Sequence, residues 1–573
     1  MTPGRTRLAV ALEIGAGLAL AVALVPALTG ARGVALGPWV LPVRELWRPI
    51  TVAAVLAAIG VLVGRSAGTR ADAAGGRDAA ASAATVAFSC GVAAGLLVWT
   101  DLQVRFCGGL DSYGYVSAAQ ALAAGRVVRP EPIIEWLPFA RAIDAATPLG
   151  WIAAPSGTAI VPAYPLGFPL VMALAIAAGG LGAAFYVPLA AGAGTVALSY
   201  RLARQVAGPL AAAATALVVA WNPVLTNMAV QPMSDAPAAF WYLLALTLLA
   251  GRRARPMASG LAFAMAIWTR PLVLALAPAL LLLLPRRREA CLRFAAGAAP
   301  VFLAMAGMQW LMYGSPLRTG YGNSAGLFTT ANIGRHLGAF TRWTVAVHGP
   351  ILVAAFFAGI WRGPRRLVLA AGVGLLTGLV PYLFNLQYFD DWDVVRYLLP
   401  GLVPCVIVAV LGAVSLAQRF LPRPADVLAV LAFAAATAAG AFGVVSGQST
   451  WALVRQESRY AAVAEWFSQR TPEATLVFAD LHSGSLRLYA NRPTLRWVRM
   501  PPGSLAATVR EAGRRGVECY AVFDDEAEAR SFERQLAGGL DALRLEPDAR
   551  VRSVMIHRVR ADPGGPGGAG PGR

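Results

Sequence analysis

The chain has 573 residues, 57% of them hydrophobic and only 14% charged, with a mean hydropathy of +0.59. Soluble domains carry about 25% charged residues, so the composition excludes a soluble multidomain protein and makes the bilayer the solvent for most of the chain. The formal net charge is +19 and all 49 basic residues are Arg. They cluster in short turns between apolar runs, the pattern of topology signals rather than of a nucleic-acid-binding face.

A span needs about 20 apolar residues, fewer where a helix tilts or breaks. On that measure the sequence predicts spans at 8–29, 50–63 and 83–99, then a long polar stretch over 100–164. Spans resume at 181–200, 209–224, 236–250, 257–268, 271–284, 291–312, 345–360, 367–383, 397–416 and 427–444. The total is about 13 transmembrane helices. The first segment lacks a convincing signal-peptide cleavage site and further spans follow, so it reads as a helix. The stretch 166–180 is short and Pro-flanked and reads as interfacial or re-entrant. Placing the Arg-rich turns in the cytoplasm (Arg65, Arg70 and Arg77; Arg201 and Arg204; Arg286, Arg287 and Arg288 among them) gives a consistent alternation. The N-terminus is then cytoplasmic, and the loops 100–164 and 313–344 and everything after 445 face outward. Exclusive use of Arg is what a high-GC coding sequence produces, which points to a bacterial plasma membrane.

From about Ser446 the character changes. A helix over 455–470 carries Tyr460, Val463, Ala464 and Phe467 on one side. A strand is expected at 475–479, a helix at 505–515, a strand at 517–523, a helix at 525–536 and a strand at 551–559. This alternation predicts a small α/β soluble domain. The organisation is therefore 1–82, N-terminal spans with a cytoplasmic loop; 83–447, a transmembrane module with the outward loop 100–165; 448–561, an external α/β domain; and 562–573, a Gly/Pro-rich disordered tail. No GxGxxG or P-loop indicates a nucleotide. The four His include no HExxH and the five Cys show no metal-ligand spacing; a Cys107–Cys519 disulfide stays open.

Carboxylates are scarce in such a chain, so their placement carries information. Asp111, in Gly108-Gly109-Leu110-Asp111-Ser112-Tyr113-Gly114-Tyr115, follows the third span on the outer side and opens an Ala-rich amphipathic helix. A carboxylate there is favoured by the helix dipole and is either a helix cap or a reactive group. Asp235, in Gln231-Pro232-Met233-Ser234-Asp235-Ala236-Pro237, admits the same two readings. The predicted topology puts both on one membrane face, as an interfacial active site requires. Downstream, Arg396 follows Asp390-Asp391-Trp392-Asp393. It snorkels, pairs with Asp393 or binds a phosphate. Arg270, in Trp268-Thr269-Arg270-Pro271, separates two short half-spans, where an ionisable side chain needs a partner and marks a functional position.

In order along the chain, these segments resemble GT-C-fold glycosyltransferases of the glycosyltransferase 39 kind, whose relatives include protein O-mannosyltransferases and the transferases that put aminoarabinose on lipid A. The resemblance rests on Leu110-Asp111-Ser112-Tyr113-Gly114-Tyr115 running into Ala121-Leu122-Ala123-Ala124-Gly125, then Tyr164-Pro165-Leu166-Gly167-Phe168-Pro169-Leu170 and Tyr200-Arg201-Leu202-Ala203-Arg204. It continues through Met233-Ser234-Asp235-Ala236-Pro237, Ile267-Trp268-Thr269-Arg270-Pro271, Tyr313-Gly314-Ser315-Pro316 and Arg396-Tyr397-Leu398-Leu399-Pro400. The chain departs from the pattern in carrying Ser112 where many relatives have a second acid, in having no Lys for the donor phosphate, and in its two extra N-terminal spans.

The resemblance implies a polyprenyl-phosphate sugar donor and inverting transfer to a hydroxyl of a glycan, lipid or protein acceptor at the outer membrane face. It implies Asp111 as general base, with Asp235 as a second catalytic carboxylate that orients the site. Arg270 and Arg396 hold the donor phosphate, and Tyr113, Tyr115 and Tyr164 bind substrate. The external domain then caps the site or presents the acceptor. A divalent metal is not indicated. Two alternatives stay open: a transporter or flippase for a lipid-linked sugar, against which stands the lack of a clear internal repeat, and a non-catalytic GT-C scaffold, for which the missing second acid speaks.

Overall fold

In hydrocarbon an uncharged run of Ala, Leu, Val and Gly can satisfy its backbone hydrogen bonds only within itself, so each such run forms a helix. The computed structural model describes residues 78–561, apart from 252, 323, 423–424, 448–449 and 537–542, together with a hairpin of β1 (Val34–Leu36) and β2 (Trp39–Leu41). The spans predicted at 8–29 and 50–63, and the tail 562–573, lie outside the described residues.

The long apolar helices are α1 (Asp78–Asp101), then, after the loop helix α2 (Asp111–Ala123) and the short α3 (Gly167–Gly179), α4 (Tyr186–Ala220). Three short apolar segments follow: α5 (Asp235–Ala250), α6 (Pro256–Thr269) and the stretch Pro271–Leu283, a 3₁₀ turn leading into α7 (Ala277–Leu283). The series ends with α8 (Arg288–Tyr313), α9 (Ile333–Arg362), α10 (Arg365–Leu383), α11 (Leu399–Phe420) and α12 (Ala425–Gly447). Seven described helices are long and apolar enough to cross a membrane, and with the short segments they match the predicted spans from 83 onward. The spans predicted at 181–200 and 209–224 are the two arms of α4, which breaks at Gly208 (φ 85°), before Pro209. Glycine accepts that φ, and proline cannot continue the hydrogen-bond ladder. The same pairing breaks α9 at Gly349 and Pro350. That helix starts at Ile333, inside what the sequence predicts as loop.

The hub is α11. Its apolar window is 89% buried, against a third or less for every other spanning window. It lies against α4, α5, α9, α10 and α12. The crossing with α9 is close because Gly412 faces Gly359: a Cβ on Gly412 would sit 2.3 Å from the Gly359 nitrogen.

The loop between α1 and α3 holds a small antiparallel sheet absent from the sequence expectation. Its strands are β3 (Arg129–Pro130), β4 (Trp151–Ala153) and β5 (Ala159–Pro162), in the order β3-β5-β4. After α12 comes α13 (Thr450–Arg470), then β6 (Leu476–Phe478), α14 (Ser483–Ala490), β7 (Thr494–Leu495), α15 (Ser504–Arg514), β8 (Cys519–Phe523), α16 (Glu526–Leu536), β9 (Leu543–Val551) and β10 (Val554–Ala561). The sheet order is β7-β6-β8-β10-β9, with β6 parallel to β7 and β8, and β10 antiparallel to β8 and β9.

Because strand side chains alternate between faces, β6 and β8 feed two cores. Val477, Tyr520 and Val522 pack with Val463 and Phe467 of α13 and Leu486 of α14. On the other face Phe478, Ala521 and Phe523 pack with Val509 of α15 and Phe532 of α16, joined by Ile133, Leu137, Ala142, Ala145 and Ala146 from the α1–α3 loop. The loop and the C-terminal sheet therefore share one core.

Candidate active site

Asp111 is the first residue of α2, entered through Gly109 in the left-handed region (φ 59°). It makes no cap on its own helix. Its Oδ1 instead accepts a hydrogen bond from Tyr164 Oη at 2.5 Å. Burial, reinforced by the neighbouring carboxylate, pushes the Tyr164 phenol up, so this oxygen keeps its proton and stays a donor. Asp235 opens α5 and likewise makes no cap; it forms a buried ion pair with Arg270. Arg270 follows α6 in extended conformation (φ −148°, ψ 103°), and Pro271 prevents the helix from continuing. That break turns the guanidinium into the bundle, where Nε donates to Tyr382 Oη at 3.3 Å.

Arg396 lies in the 3₁₀ turn Trp392–Leu398 that leads into α11. Its Nε is 3.2 Å from Asp393 Oδ2 and its Nη2 is 3.9 Å from Asp111 Oδ2. The structure thus joins Asp111, Tyr164, Arg396, Asp393, Asp235 and Arg270, drawn from five separate stretches of sequence. Tyr397 ties the two cations together: Arg270 Cζ is 5.1 Å and Arg396 Cζ 5.0 Å from its ring centroid. The ring also stacks on Tyr382 at 5.0 Å and 12°.

The two acids are in different states. The Asp235 side chain is 1% exposed and committed to Arg270, whereas that of Asp111 is 35% exposed, with only the long contact to Arg396 at Oδ2. An oxygen in that position is open to an incoming hydroxyl. Beside Arg270 a small crevice of about 10 Å³, lined by Leu272, Leu276, Gly378, Tyr382 and Tyr397, lies between α10, α11 and the turn after Pro271. Among the described residues no group of three or more His, Cys, Asp or Glu comes together as a metal-ligand set.

Tyr115 belongs to this cluster. Its ring lies 4.8 Å from that of Tyr164 and its Oη shares a 2.9 Å hydrogen bond with Ser234 Oγ. Tyr113 does not. It is buried among Ile143, Trp151 and Ile160, and a Cβ on Gly484 would sit 2.3 Å from its ring. Two helical steps turn the side chain by about 200°, so residues 113 and 115 cannot face one ligand. Sequence reasoning missed Tyr321, Tyr382 and the part Tyr397 plays, while Asp393 pairs with Arg396 as one of the sequence readings has it. Tyr397 stands in the same short motif as Arg396, but nothing in the sequence shows that two distant arginines meet on it. Tyr321 faces Tyr164 at 6.3 Å, and burial pushes its phenol up to about 12.

The C-terminal unit grips the segment that carries Asp111. Tyr489 Oη accepts from the Cys107 backbone N–H at 3.0 Å, and Arg487 binds Glu131 Oε2 and the Ala146 carbonyl, each at 2.6 Å. Cys107 and Cys519 are both free, and burial pushes each thiol up to about 12. The Tyr460 ring covers Gly108, where a Cβ would sit 2.1 Å from ring carbon. Gly108→Ala is therefore expected to cost about 1–3 kcal/mol through overpacking. It should speed limited proteolysis of the C-terminal unit at unchanged expression.

Nearby, Arg459 Nε is 3.0 Å from Asp524 Oδ1, and burial, with Asp524 adding to it, pushes the Glu457 carboxyl up to about 7. The ordinary value is 4.5. Ionising Glu457 is therefore a folded-state penalty that is absent below about pH 4.5, grows as pH rises and is complete above about pH 7. Glu457→Gln removes it. The variant is expected to melt above wild type at pH 7.5 and to converge with it near pH 4.5, in thermal unfolding scans at about half-unit pH steps.

No protein-family model matches the sequence, and no curated relative does. Solved structures do match. ArnT from Cupriavidus metallidurans in the apo state is 16% identical, with a TM-score of 0.52 over 83% of this chain and 98% of that one. The same protein bound to undecaprenyl phosphate gives 0.53 at 16% identity over 85% and 100%. The agreement spans nearly the whole of ArnT. This chain is an integral membrane protein with the GT-C glycosyltransferase fold.

Proposed function

We propose that this protein is a membrane glycosyltransferase that moves a sugar from a polyprenyl-phosphate donor to an acceptor hydroxyl at the outer face of a bacterial plasma membrane, its N-terminus cytoplasmic and its C-terminal unit external. The observation that carries the reading is the opposition of a half-open carboxylate, Asp111, to a pair of guanidiniums, Arg396 and Arg270, that meet on the Tyr397 ring. The ArnT structure that holds undecaprenyl phosphate supports the donor class.

In this reading the acceptor oxygen attacks the anomeric carbon from the face opposite the phosphate. The bond from that carbon to the phosphate oxygen breaks, the electron pair leaves with the phosphate, and the configuration inverts. The acceptor proton passes to Asp111 Oδ2 as the new bond forms. Arg270 and Arg396 stabilise the charge that grows on the leaving phosphate, where guanidiniums held in place before the reaction are most effective. Asp235 positions Arg270, Asp393 positions Arg396, and Tyr164 orients Asp111. Tyr115 and Tyr164 line the sugar side; Tyr113 leaves the substrate-binding set because it faces the C-terminal unit.

The test is transfer by the full-length protein in nanodiscs, supplied with a panel of polyprenyl-phosphate sugars and a bacterial membrane extract as acceptor. Label moving into the extract with release of polyprenyl phosphate is the expected result. Translocation of the intact lipid-linked sugar without bond cleavage, for every donor, would replace this reading with a transporter.

A further inference from the structure

A groove of about 570 Å³ opens between α1 and the two arms of α4. Helix contacts fix which end of the bundle it reaches. Trp99, at the end of α1 next to the outward loop, packs on Gly192 of the first arm, while Gly91 and Gly95 lie against Leu217 and Trp221 of the second. The first arm therefore runs away from the Asp111 end and the second returns. The first arm starts at Tyr186, against Arg105 of the loop before Asp111, and at 1.5 Å per residue Arg201 and Arg204 lie about 22 and 27 Å along it, most of the roughly 30 Å thickness of a bilayer's hydrocarbon.

The groove is polar at one end only. Its body is walled by Val92, Leu96, Val196 and Ala216 with small alanines around them, and its far end carries Arg201 and Arg204. Among the described residues no carboxylate lines it. Arg204 lies over the Tyr200 ring with Cζ 6.0 Å from the centroid, its Nη1 donating to Tyr200 Oη at 3.3 Å, and Arg201 is exposed. The volume falls within the roughly 300–1,000 Å³ of ligand pockets. An apolar channel about one leaflet deep, closed by two guanidiniums, is complementary to an acyl chain ending in a phosphate.

We infer that this groove is a binding site for an anionic phospholipid of the surrounding membrane, its acyl chain along the α1–α4 seam and its phosphate on Arg201 and Arg204. Basic pockets between membrane helices hold acidic head groups in this way. The site stands at the opposite end of the bundle from Asp111 and does not rest on the glycosyltransferase reading.

The test uses the full-length protein in nanodiscs of equal phosphatidylcholine and phosphatidylglycerol, extracted gently and weighed by native mass spectrometry. Phosphatidylglycerol is expected to be retained in roughly tenfold preference, as two basic groups near an acidic head group supply. The preference should vanish in Arg201→Gln/Arg204→Gln and persist in Arg365→Gln/Arg366→Gln, a control pair at the start of α10. A photo-reactive residue at Ala197 is expected to cross-link to lipid. Absence of a preference, equal loss in the control pair, or a cross-link from 197 to a peptide within residues 8–63 would each overturn the assignment, the last by showing that the chain itself fills the groove.

Discussion

Asp111→Asn is expected to lower the transfer rate by roughly 10²–10⁴-fold, the usual contribution of a positioned general base, with little change in melting temperature. The two side chains have the same shape, and the amide oxygen still accepts the Tyr164 hydrogen bond found at 2.5 Å. What is lost is the ability to take a proton at Oδ2, the oxygen left open toward the site. The defect should fall on kcat, because in the proposed reading the donor is held by Arg270 and Arg396, and each keeps its closer carboxylate, Asp235 or Asp393; an unchanged donor KM is the accompanying observation. Tyr164→Phe separates orientation from basicity. It keeps the carboxylate but frees its rotation, and a loss of roughly tenfold is expected, smaller than that of the amide. Full activity in Asp111→Asn would remove this residue from the chemistry and leave the reading without a base.

The buried pair of Asp235 and Arg270 gives the second large effect, first on stability. Asp235→Ala strands a guanidinium whose side chain is only 17% exposed, and removing one partner of a buried pair costs about 3–5 kcal/mol. The double variant Asp235→Ala/Arg270→Met leaves no orphaned charge and should recover most of that loss, since replacing a buried pair by apolar side chains is often neutral. Its transfer activity should nevertheless stay abolished, because the phosphate has lost one of its two cations. Thermal unfolding in one lipid background and transfer assays on the three proteins distinguish this from a purely structural pair, in which activity would return with stability.

The membrane helices were legible from sequence because hydrocarbon allows a bare backbone so few conformations. The long runs at 83–99, 291–312 and 427–444 become helices. The break at Gly208 falls between two predicted spans, whereas the one at Gly349, also a glycine before a proline, falls inside the span predicted at 345–360. The strands β3, β4, β5, β7 and β9 were not: most span two to four residues, too few for alternation to register, and β9 alternates apolar and charged residues but carries a central Pro547, which speaks against a strand. Asp111, Asp235, Arg270 and Arg396 stood out because a charge at the end of a span is costly and therefore conspicuous. Local pattern could not show that neither acid caps its helix, because the partners they take instead are distant: Tyr164 for Asp111 and Arg270 for Asp235. Tyr113 was drawn into the site by its neighbours in the motif, and the helical turn takes it out.

The core shared between the α1–α3 loop and the C-terminal sheet has a consequence for biosynthesis. The segment with Asp111 emerges early, and the strands that complete its packing, β6 and β8, come from beyond Thr450. Asn227, whose side chain joins Asp393 to Thr450, closes its contacts at the same late moment. At about 5–20 residues per second, the membrane helices wait some tens of seconds beside lipid carriers before the last strands exist. A chain interrupted before β8 holds both arginines but lacks the C-terminal packing around the loop that carries Asp111. Premature products are thus expected to be inert toward lipid-linked sugar, and completion of translation serves as the step that arms the protein.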